Sequence, residues 1–301
     1  MDNRELKMIL SSNGRTLPLG KDMDFDIEEV TGLESAPFVN SWEDLYGIDG
    51  DESDGEKLDK RPIHIVASLK DDSLNPSWRK DCIKFFNPKY LGNLYINNMG
   101  VERQIDYKLE GWTFGKQVNL WDPLQIIVDL ICPDPFMRGL NTEAVKVTKN
   151  RKMFSFPYVS LGEATEIEGD MAMRGYKGTI MGYKVPESVV SITNDGDVPT
   201  GYTVTLKAAR GSVSNPRMVD SASGKRLRMV MDMNEGDTLV ITISDRQRTI
   251  MLNGENVYMK IDRSSRSFML NVGENEFSFF ADDGFGNLDI NMTYSLRYLG
   301  V

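Results

Sequence analysis

The chain has 301 residues, of which 40% are apolar and 27% are charged. This composition excludes a disordered chain, a collagen-like chain and a coiled coil. The formal net charge of -10 argues against a dedicated DNA or RNA binder, which needs a basic surface for phosphates. A folded chain of this length buries about three-quarters of its extended surface, so one large or two medium domains are possible.

The sequence predicts neither a membrane span nor a cofactor or metal site. It contains no run of 18 apolar residues, and Met1–Lys7 lacks the apolar core of a secretion signal. We therefore expect synthesis in a cytosol without a signal peptide. The two cysteines, Cys82 and Cys132, form no C-x-x-C pair, and His64 is the one histidine.

Charge divides the chain unevenly. Residues 1–140 hold 16 basic and 25 acidic residues, a net charge of -9, and residues 141–301 hold the remaining 19 and 20, a net charge of -1. The segment 22–59 alone holds 14 acidic residues and one basic residue, a net charge of -13. We predict two domains, 1–140 and 141–301, with different surface roles.

The first domain is predicted to be a β-sandwich or barrel-like fold with one helix. Its strand-forming runs are Ile63–Leu69, Leu94–Ile96, Ile105–Leu109 and Leu124–Ile131, the last of which ends at two prolines.

The predicted helix covers Ser77–Asn87. Asn75 is the predicted N-cap, and Pro88 marks the stop. Trp78, Cys82, Phe85 and Phe86 form one apolar stripe along this helix, which predicts that the stripe packs on a sheet.

The second domain is predicted to be a β-sandwich or jelly roll. Alternating residues over Leu288–Tyr298 predict one half-buried strand, and Leu227–Met233 predicts another. Shorter strands are predicted at Thr203–Leu206 and Leu239–Ile243, separated by turn signals such as Asn-Asp-Gly and Asn-Gly. Isolated sheet faces are unstable in water, so two sheets must cover each other.

The candidates for chemistry all favour non-catalytic interpretations. The acidic run from Asp49 resembles a calcium loop, but Asp54 occupies the glycine position and Lys60 the position of the bidentate glutamate, which favours a solvated loop. His64 has no recognisable nucleophile motif beside it, which favours a structural or surface histidine. No spacing points to a glycosidase carboxylate pair.

Several motifs, in their order and spacing, resemble the siphovirus tail component family of phage distal tail proteins. In the first half they are Arg61-Pro-Ile-His-Ile, Lys84-Phe-Phe-Asn-Pro, Leu94-Tyr-Ile and Leu130-Ile-Cys-Pro-Asp-Pro-Phe. In the second half they are Asn194-Asp-Gly-Asp-Val-Pro-Thr, Gly236-Asp-Thr-Leu-Val-Ile, Leu252-Asn-Gly, Gly273-Glu-Asn-Glu-Phe and Arg297-Tyr-Leu-Gly-Val.

The resemblance implies a structural protein of the phage tail tip or baseplate, not an enzyme, located in the virion. It implies a ring of copies, a hexamer in that family, built by the N-terminal domain beneath the tail tube protein. It further implies a galectin-like C-terminal sandwich that holds tail-tip, receptor-binding or other baseplate proteins. DNA would only pass through the channel.

Two aspects of the assembly follow from physical reasoning. Trp42, Trp112 and Trp121 are candidate interface aromatics, although ordinary core packing also explains each of them. The acidic segment 22–59 either lines the DNA path, where like charge keeps the genome from sticking, or protects a strand edge.

Two alternatives stay open. The first is a carbohydrate-binding module that attaches to host cell-wall glycans, and the second is a carboxylate-dependent glycan hydrolase. All four tryptophans lie in the first domain, so a sugar platform in the second would have to be a tyrosine. The candidates for that platform are Tyr176, Tyr183, Tyr202 and Tyr258.

Overall fold

The computed structural model describes residues 5–44, 51–116, 122–147, 150–156, 179–184 and 187–301. The chain divides into two compact units. The first comprises Met1–Thr142, Asp195–Pro199 and Ser295–Val301, and the second comprises Glu143–Asn194 and Thr200–Tyr294. Two short segments from far along the chain therefore complete the first unit.

The first unit is built from strands and one α-helix. The strands are β1 (Lys7–Ser12), β2 (Arg15–Gly20), β3 (Phe25–Thr31), β4 (Phe38–Asp44), β5 (Asp51–Leu58), β6 (Arg61–Leu69), β7 (Leu91–Asn98), β8 (Val101–Phe114), β9 (Gln125–Cys132) and β10 (Met137–Arg138). The helix α1 (Asn75–Phe85) follows a 3-10 turn, Asp72–Leu74.

Seven of these strands close into a barrel in the order β8-β7-β1-β2-β3-β6-β9, with β9 hydrogen-bonded back to β8. All neighbours are antiparallel except β2 and β3, which are parallel at Leu19 and Phe25. Closure pairs the two strands that would otherwise be edges, which removes the edge that an open sheet presents to other chains.

Strict alternation of side chains fills this barrel. In β6 the residues Ile63, Ile65 and Ala67 are buried, and each alternates with a more exposed neighbour. The same pattern in β9 buries Ile126 and Val128. Successive side chains of a strand point to opposite faces, so the apolar set lies on the inner face and forms one core.

The helix predicted over Ser77–Asn87 is present as α1, which begins and ends two residues earlier, at Asn75 and Phe85. Cys82, Phe85 and Phe86 are buried as the apolar stripe predicts, and Trp78 packs partly buried against the same core. The predicted N-cap is wrong, because Leu74 holds that position and makes no side-chain cap. The Asn75 side chain instead donates to the carbonyl oxygen of Asp122 at 3.2 Å, which ties the helix to the segment before β9.

The second unit contains further strands. They are β11 (Glu143–Lys146), β12 (Asn150–Phe156), β13 (Thr179–Lys184), β14 (Glu187–Asn194), β15 (Tyr202–Ala208), β16 (Val213–Ser214), β17 (Arg217–Asp220), β18 (Arg226–Arg228), β19 (Asp232–Met233), β20 (Thr238–Ile243), β21 (Arg248–Leu252), β22 (Glu255–Asn256), β23 (Gly273–Phe280) and β24 (Leu288–Tyr294). Short 3-10 turns occur at Tyr258–Lys260 and Phe285–Asn287.

Two sheets of this unit cover each other. One has the order β11-β24-β15-β20-β21-β22, and the other has the order β14-β23-β17-β18. Tyr202 of β15 lies 5.8 Å, between ring centroids, from Phe277 of β23, and Phe268 packs against both rings. The aromatic contact between residues of the two sheets makes the unit a β-sandwich.

Two of the predicted strands in this unit are shorter than expected. The alternation over Leu288–Tyr294 is confirmed as β24, but the chain then leaves the sheet, and Arg297–Tyr298 forms a separate strand, β25, which pairs with β10 in the first unit. The run Leu227–Met233 is divided between β18 and β19, which belong to different sheets. The predicted fold class, mainly β with one helix, is confirmed.

Candidate assembly surface

The one histidine forms a surface pair across two barrel strands. His64 of β6 lies directly opposite Asp129 of β9, and the distance from Nδ1 to Oδ1 is 2.7 Å. Both side chains are partly exposed. Among the residues that the structure describes, no three metal-ligating side chains cluster together.

A shallow cavity of about 270 Å³ lies beside this pair and is also lined by Ser35 and Glu110. The Ser35 hydroxyl donates to the carbonyl oxygen of Ala36 at 3.1 Å, and in the described part of the chain no hydroxyl is hydrogen-bonded to His64. Catalysis by a serine nucleophile needs a hydrogen bond between the serine hydroxyl and the histidine. The arrangement is that of a cross-strand pair on the outer face of the barrel.

Arg61 is a fully buried polar side chain of the first unit. Its guanidinium donates to the carbonyl oxygens of Pro135 at 2.8 Å, of Gly32 at 2.9 Å and of Leu33 at 3.2 Å, and also to that of Leu299. Desolvation lowers the pKa of Arg61 from its ordinary value. One side chain thus joins the segment after β3, the segment after β9 and the C-terminal segment.

The segment after β3 is fixed at several points. Gly32 has φ +89, and a Cβ there would lie 2.1 Å from the carbonyl oxygen of Pro62, so only glycine fits this approach. Leu33 and Ala36, which follow, are both buried. The chain therefore leaves the barrel at Pro37 from a rigid base.

The segment that leaves this base is the β4–β5 hairpin. Phe38 pairs with Leu58, and within the described residues this two-stranded sheet is hydrogen-bonded to no other strand. The interpretation of the acidic run as a loop is wrong for 51–58, which form a strand; Asp49 lies outside the described residues. A two-stranded hairpin is at best marginally stable in water, so this one calls for additional contacts.

The base of the hairpin exposes large apolar side chains. Phe38 is 69% exposed and Val39 is 44% exposed, and Pro37 beside them is also exposed. We name these three residues, Pro37, Phe38 and Val39, the hairpin base patch. Contiguous exposed apolar residues of this kind mark interaction surfaces more often than single ones do.

The three predicted interface tryptophans have different outcomes. Trp112 is partly buried and packs within its own unit, with its ring stacked 4.8 Å from Phe86 and edge-on to Phe114 at 5.1 Å. Trp42 belongs to β4, but its side chain lies outside the described residues, as does all of Trp121. The role of these residues as interface aromatics stays a prediction.

The tyrosines proposed as a sugar platform also differ. Tyr202 is buried in the sandwich core. Tyr258 is partly exposed, and its hydroxyl oxygen accepts a hydrogen bond of 2.7 Å from Arg248. Tyr176 and the side chain of Tyr183 lie outside the described residues. Carbohydrate binding stays a prediction for which Tyr258 is the described candidate.

Sequence reasoning missed the hairpin base patch and the role of Arg61. Phe38 and Val39 directly precede a run rich in acidic residues, but the sequence does not show that they are exposed. Nothing in the sequence indicates that Arg61 is buried, because its partners are backbone carbonyl oxygens up to 238 positions away.

Comparison with known proteins gives a family match for part of the chain. Residues 195–298 match the family described as siphovirus-type tail component, C-terminal domain. No curated protein sequence is significantly similar to the chain.

Solved structures show the same fold. The crystal structure of the Dit protein of phage SPP1, described as a paradigm of the hub adsorption apparatus in phages that infect Gram-positive bacteria, superposes with a TM-score of 0.67 at 14% identity. The match covers 97% of this chain and 99% of that one. A chain in the phage P2 baseplate in its activated conformation with Ca matches with a TM-score of 0.48 at 13% identity, covering 98% and 99%, which is too low to support an inference. The resemblance to siphovirus tail components is confirmed.

Proposed function

We propose that this chain is a structural protein of a phage tail tip or baseplate, and that its copies join into a ring, a hexamer, around the channel for DNA. The observation that carries the proposal is the match of residues 195–298 to the siphovirus-type tail component family, together with a fold shared with the SPP1 hub protein over 97% of the chain. The protein works by shape and catalyses no reaction.

The first unit supplies the ring in this proposal. Every strand of the barrel is paired on both sides, so we propose that copies join through features outside the barrel. The hairpin base patch is one such feature, since exposed Phe38 would be buried between copies. A heterologous contact repeated by rotation closes into a ring, and each stable contact should bury on the order of 1,000 Å² or more.

The second unit supplies attachment. We propose that its sandwich holds tail-tip, receptor-binding or other baseplate proteins, while the ring sits beneath the tail tube protein. The helices in the described residues all fall short of the length and apolarity that a bilayer crossing needs. We propose a virion location, at the junction between tube and tip.

Immunogold electron microscopy of intact tails tests this function. Antibodies raised against the purified chain should label the junction between tail tube and tail tip in the phage that encodes it. Antibodies against the tail tube protein provide the control, because they should label along the tube. Absence of this chain from purified virions, or label confined to another part of the particle, contradicts the proposal.

A further inference from the structure

Helix α1 presents a cationic and apolar face to solvent. Ile83 is 57% exposed, and Lys80 and Lys84 are exposed beside it. Residues three and four apart share one face of a helix, so these three side chains form one stripe. The stripe lies opposite the buried side of the helix, where Cys82 and Phe85 enter the core.

Exposed basic and apolar residues continue along the chain after the helix. Tyr90 is 43% exposed and Leu91 is 64% exposed, next to exposed Lys89. Residues 79–89 contain four basic residues and one acidic residue, Asp81, a net charge of +3. We name the exposed residues Lys80, Ile83, Lys84, Lys89, Tyr90 and Leu91 the helix face. In the described ranges, none of its lysines forms an ion pair.

The β4–β5 hairpin has the opposite charge. Its two strands contain six acidic residues and one basic residue, Lys57, a net charge of -5. The register places Glu43 opposite Glu52, and Asp44 opposite Asp51. The charge of the two strands therefore favours a basic surface as a partner.

The hairpin and the helix connect to opposite ends of one strand. The hairpin joins β6 at Arg61, and the helix follows β6 from its other end, Leu69. The ring of Trp78 in the helix lies 5.2 Å from that of Phe25, which pairs with Leu69. Nine extended residues span about 30 Å, so the base of the hairpin and the helix lie at opposite ends of the strand.

We propose that the β4–β5 hairpin of one copy docks on the helix face of the next copy. This inference rests on the proposed ring and names its contact. The hairpin base patch covers Ile83 and Leu91, and the acidic strands lie beside Lys80 and Lys84. Because the two surfaces differ and lie at opposite ends of β6, the contact is heterologous and repeats from copy to copy, as a ring requires.

Charge reversal with rescue tests the contact in the full-length chain. Each of the pairs K80E/K84E and E52K/E56K should weaken self-association at least about tenfold in sedimentation equilibrium at low salt. Combining all four substitutions restores opposite charges across the contact, so association should return to within about threefold of the wild type. K225E/K260E in the second unit is the matched control, since it makes the same change in net charge at exposed positions and should leave association unchanged.

Heterotypic cross-linking tests the geometry independently of stability. A chain with Val39→Cys is mixed with a chain with Ile83→Cys and treated with a short bismaleimide. Linked dimers should form in the mixture and not in either variant alone. The native thiols of Cys82 and Cys132 are buried, so they should not contribute.

The outcomes separate this inference from the proposed function. The docking contact is overturned if the wild-type chain forms rings, neither charge-reversal pair weakens association, and the cysteine mixture gives no linked dimer. That result leaves the proposed ring unchanged. Loss of association in both reversals without recovery in the fourfold variant also overturns it, because two opposed surfaces must compensate. A wild-type chain that never self-associates contradicts the ring and this contact together.

Discussion

The barrel and the β4–β5 hairpin belong to the same unit but differ in strand pairing and in the exposure of their apolar side chains. In the barrel every strand has at least two neighbours, and the apolar side chains are inside. In the described part of the hairpin each strand has one neighbour, and Phe38 faces solvent. The barrel buries its own apolar side chains, whereas the hairpin leaves Phe38 exposed, which is why we propose that another molecule covers it.

Arg61→Ala should produce the largest loss of stability, because Arg61 anchors the barrel to the hairpin base. It removes the donor for the carbonyl oxygens of Gly32, Leu33, Pro135 and Leu299 and leaves a cavity. We expect the free energy of unfolding of the first unit to fall by about 4 kcal/mol. Urea titration followed by tryptophan fluorescence measures it, since all four tryptophans lie in that unit. Exposed Arg15→Ala is the control and should change little; an equal loss there would contradict the account.

Gly300→Ala should have the next largest effect. A Cβ at Gly300 would lie 2.1 Å from the carbonyl oxygen of Glu34, so the C-terminal segment must move away from the hairpin base. Overpacking of this kind costs about 2 kcal/mol, again measured by urea titration. Gly139→Ala is the matched control, because its nearest neighbour is an ordinary side-chain contact at 3.7 Å. A neutral Gly300→Ala would show that the C-terminal segment is not held there.

The double change Phe38→Ser and Val39→Ser should separate the hairpin from the barrel. Both side chains are exposed in one copy, so the free energy of unfolding should change by less than about 0.5 kcal/mol. Self-association should weaken at least about tenfold, because buried aromatic contacts dominate interfaces. Sedimentation equilibrium and urea titration of the same preparation measure the two effects. A loss of stability without a loss of association would place the patch in the fold instead.

The free energy of unfolding should fall at alkaline pH, because the two cysteine thiols are buried in the folded chain. Burial is the main cause that raises the pKa of Cys82 and of Cys132 from 9.0 to about 12. The folded chain keeps both protons above pH 9 while the unfolded chain loses them, so stability is full below pH 9 and falls as the pH rises towards 12. Between pH 9 and pH 10 we expect a loss of about 1 kcal/mol per thiol in the free energy of unfolding.

Thiol titration at pH 8 checks that both thiols are buried in the native chain. At pH 8, neither thiol of the native chain should react with a disulfide reagent, and both should react after denaturation. Cys82→Ala should leave one thiol and a shallower fall of stability with pH. A native chain that reacts rapidly at pH 8 would show that the barrel opens.

The sequence predicts the individual strands and the helix of the first unit well, because the burial pattern of each element depends on its own residues. The period-two pattern of Ile63–Leu69 and the stripe through Cys82 and Phe85 each follow from one element's own burial. The breaks at Met231 and after Tyr294 were missed, since alternation continues across them while the backbone changes sheet. Alternation of apolar side chains predicts a strand but does not predict the strands with which it pairs.

The candidate site was harder to predict because its determinants are not local. The partners of Arg61 are carbonyl oxygens from three distant segments, and backbone atoms leave no trace in residue type. The acidic run of 51–58 reads as a loop, since Asp, Gly and Ser disfavour strands, yet pairing with 38–44 makes it one. Phe38 is informative only once its exposure is known.

Electron-microscopy class averages of the purified wild-type chain test whether its copies assemble into a ring. We expect annular particles with a hollow axis and six equivalent lobes, formed by this polypeptide alone at high concentration. Averages that show separate two-lobed particles at every concentration, or a closed twofold pair without an axial opening, would contradict it.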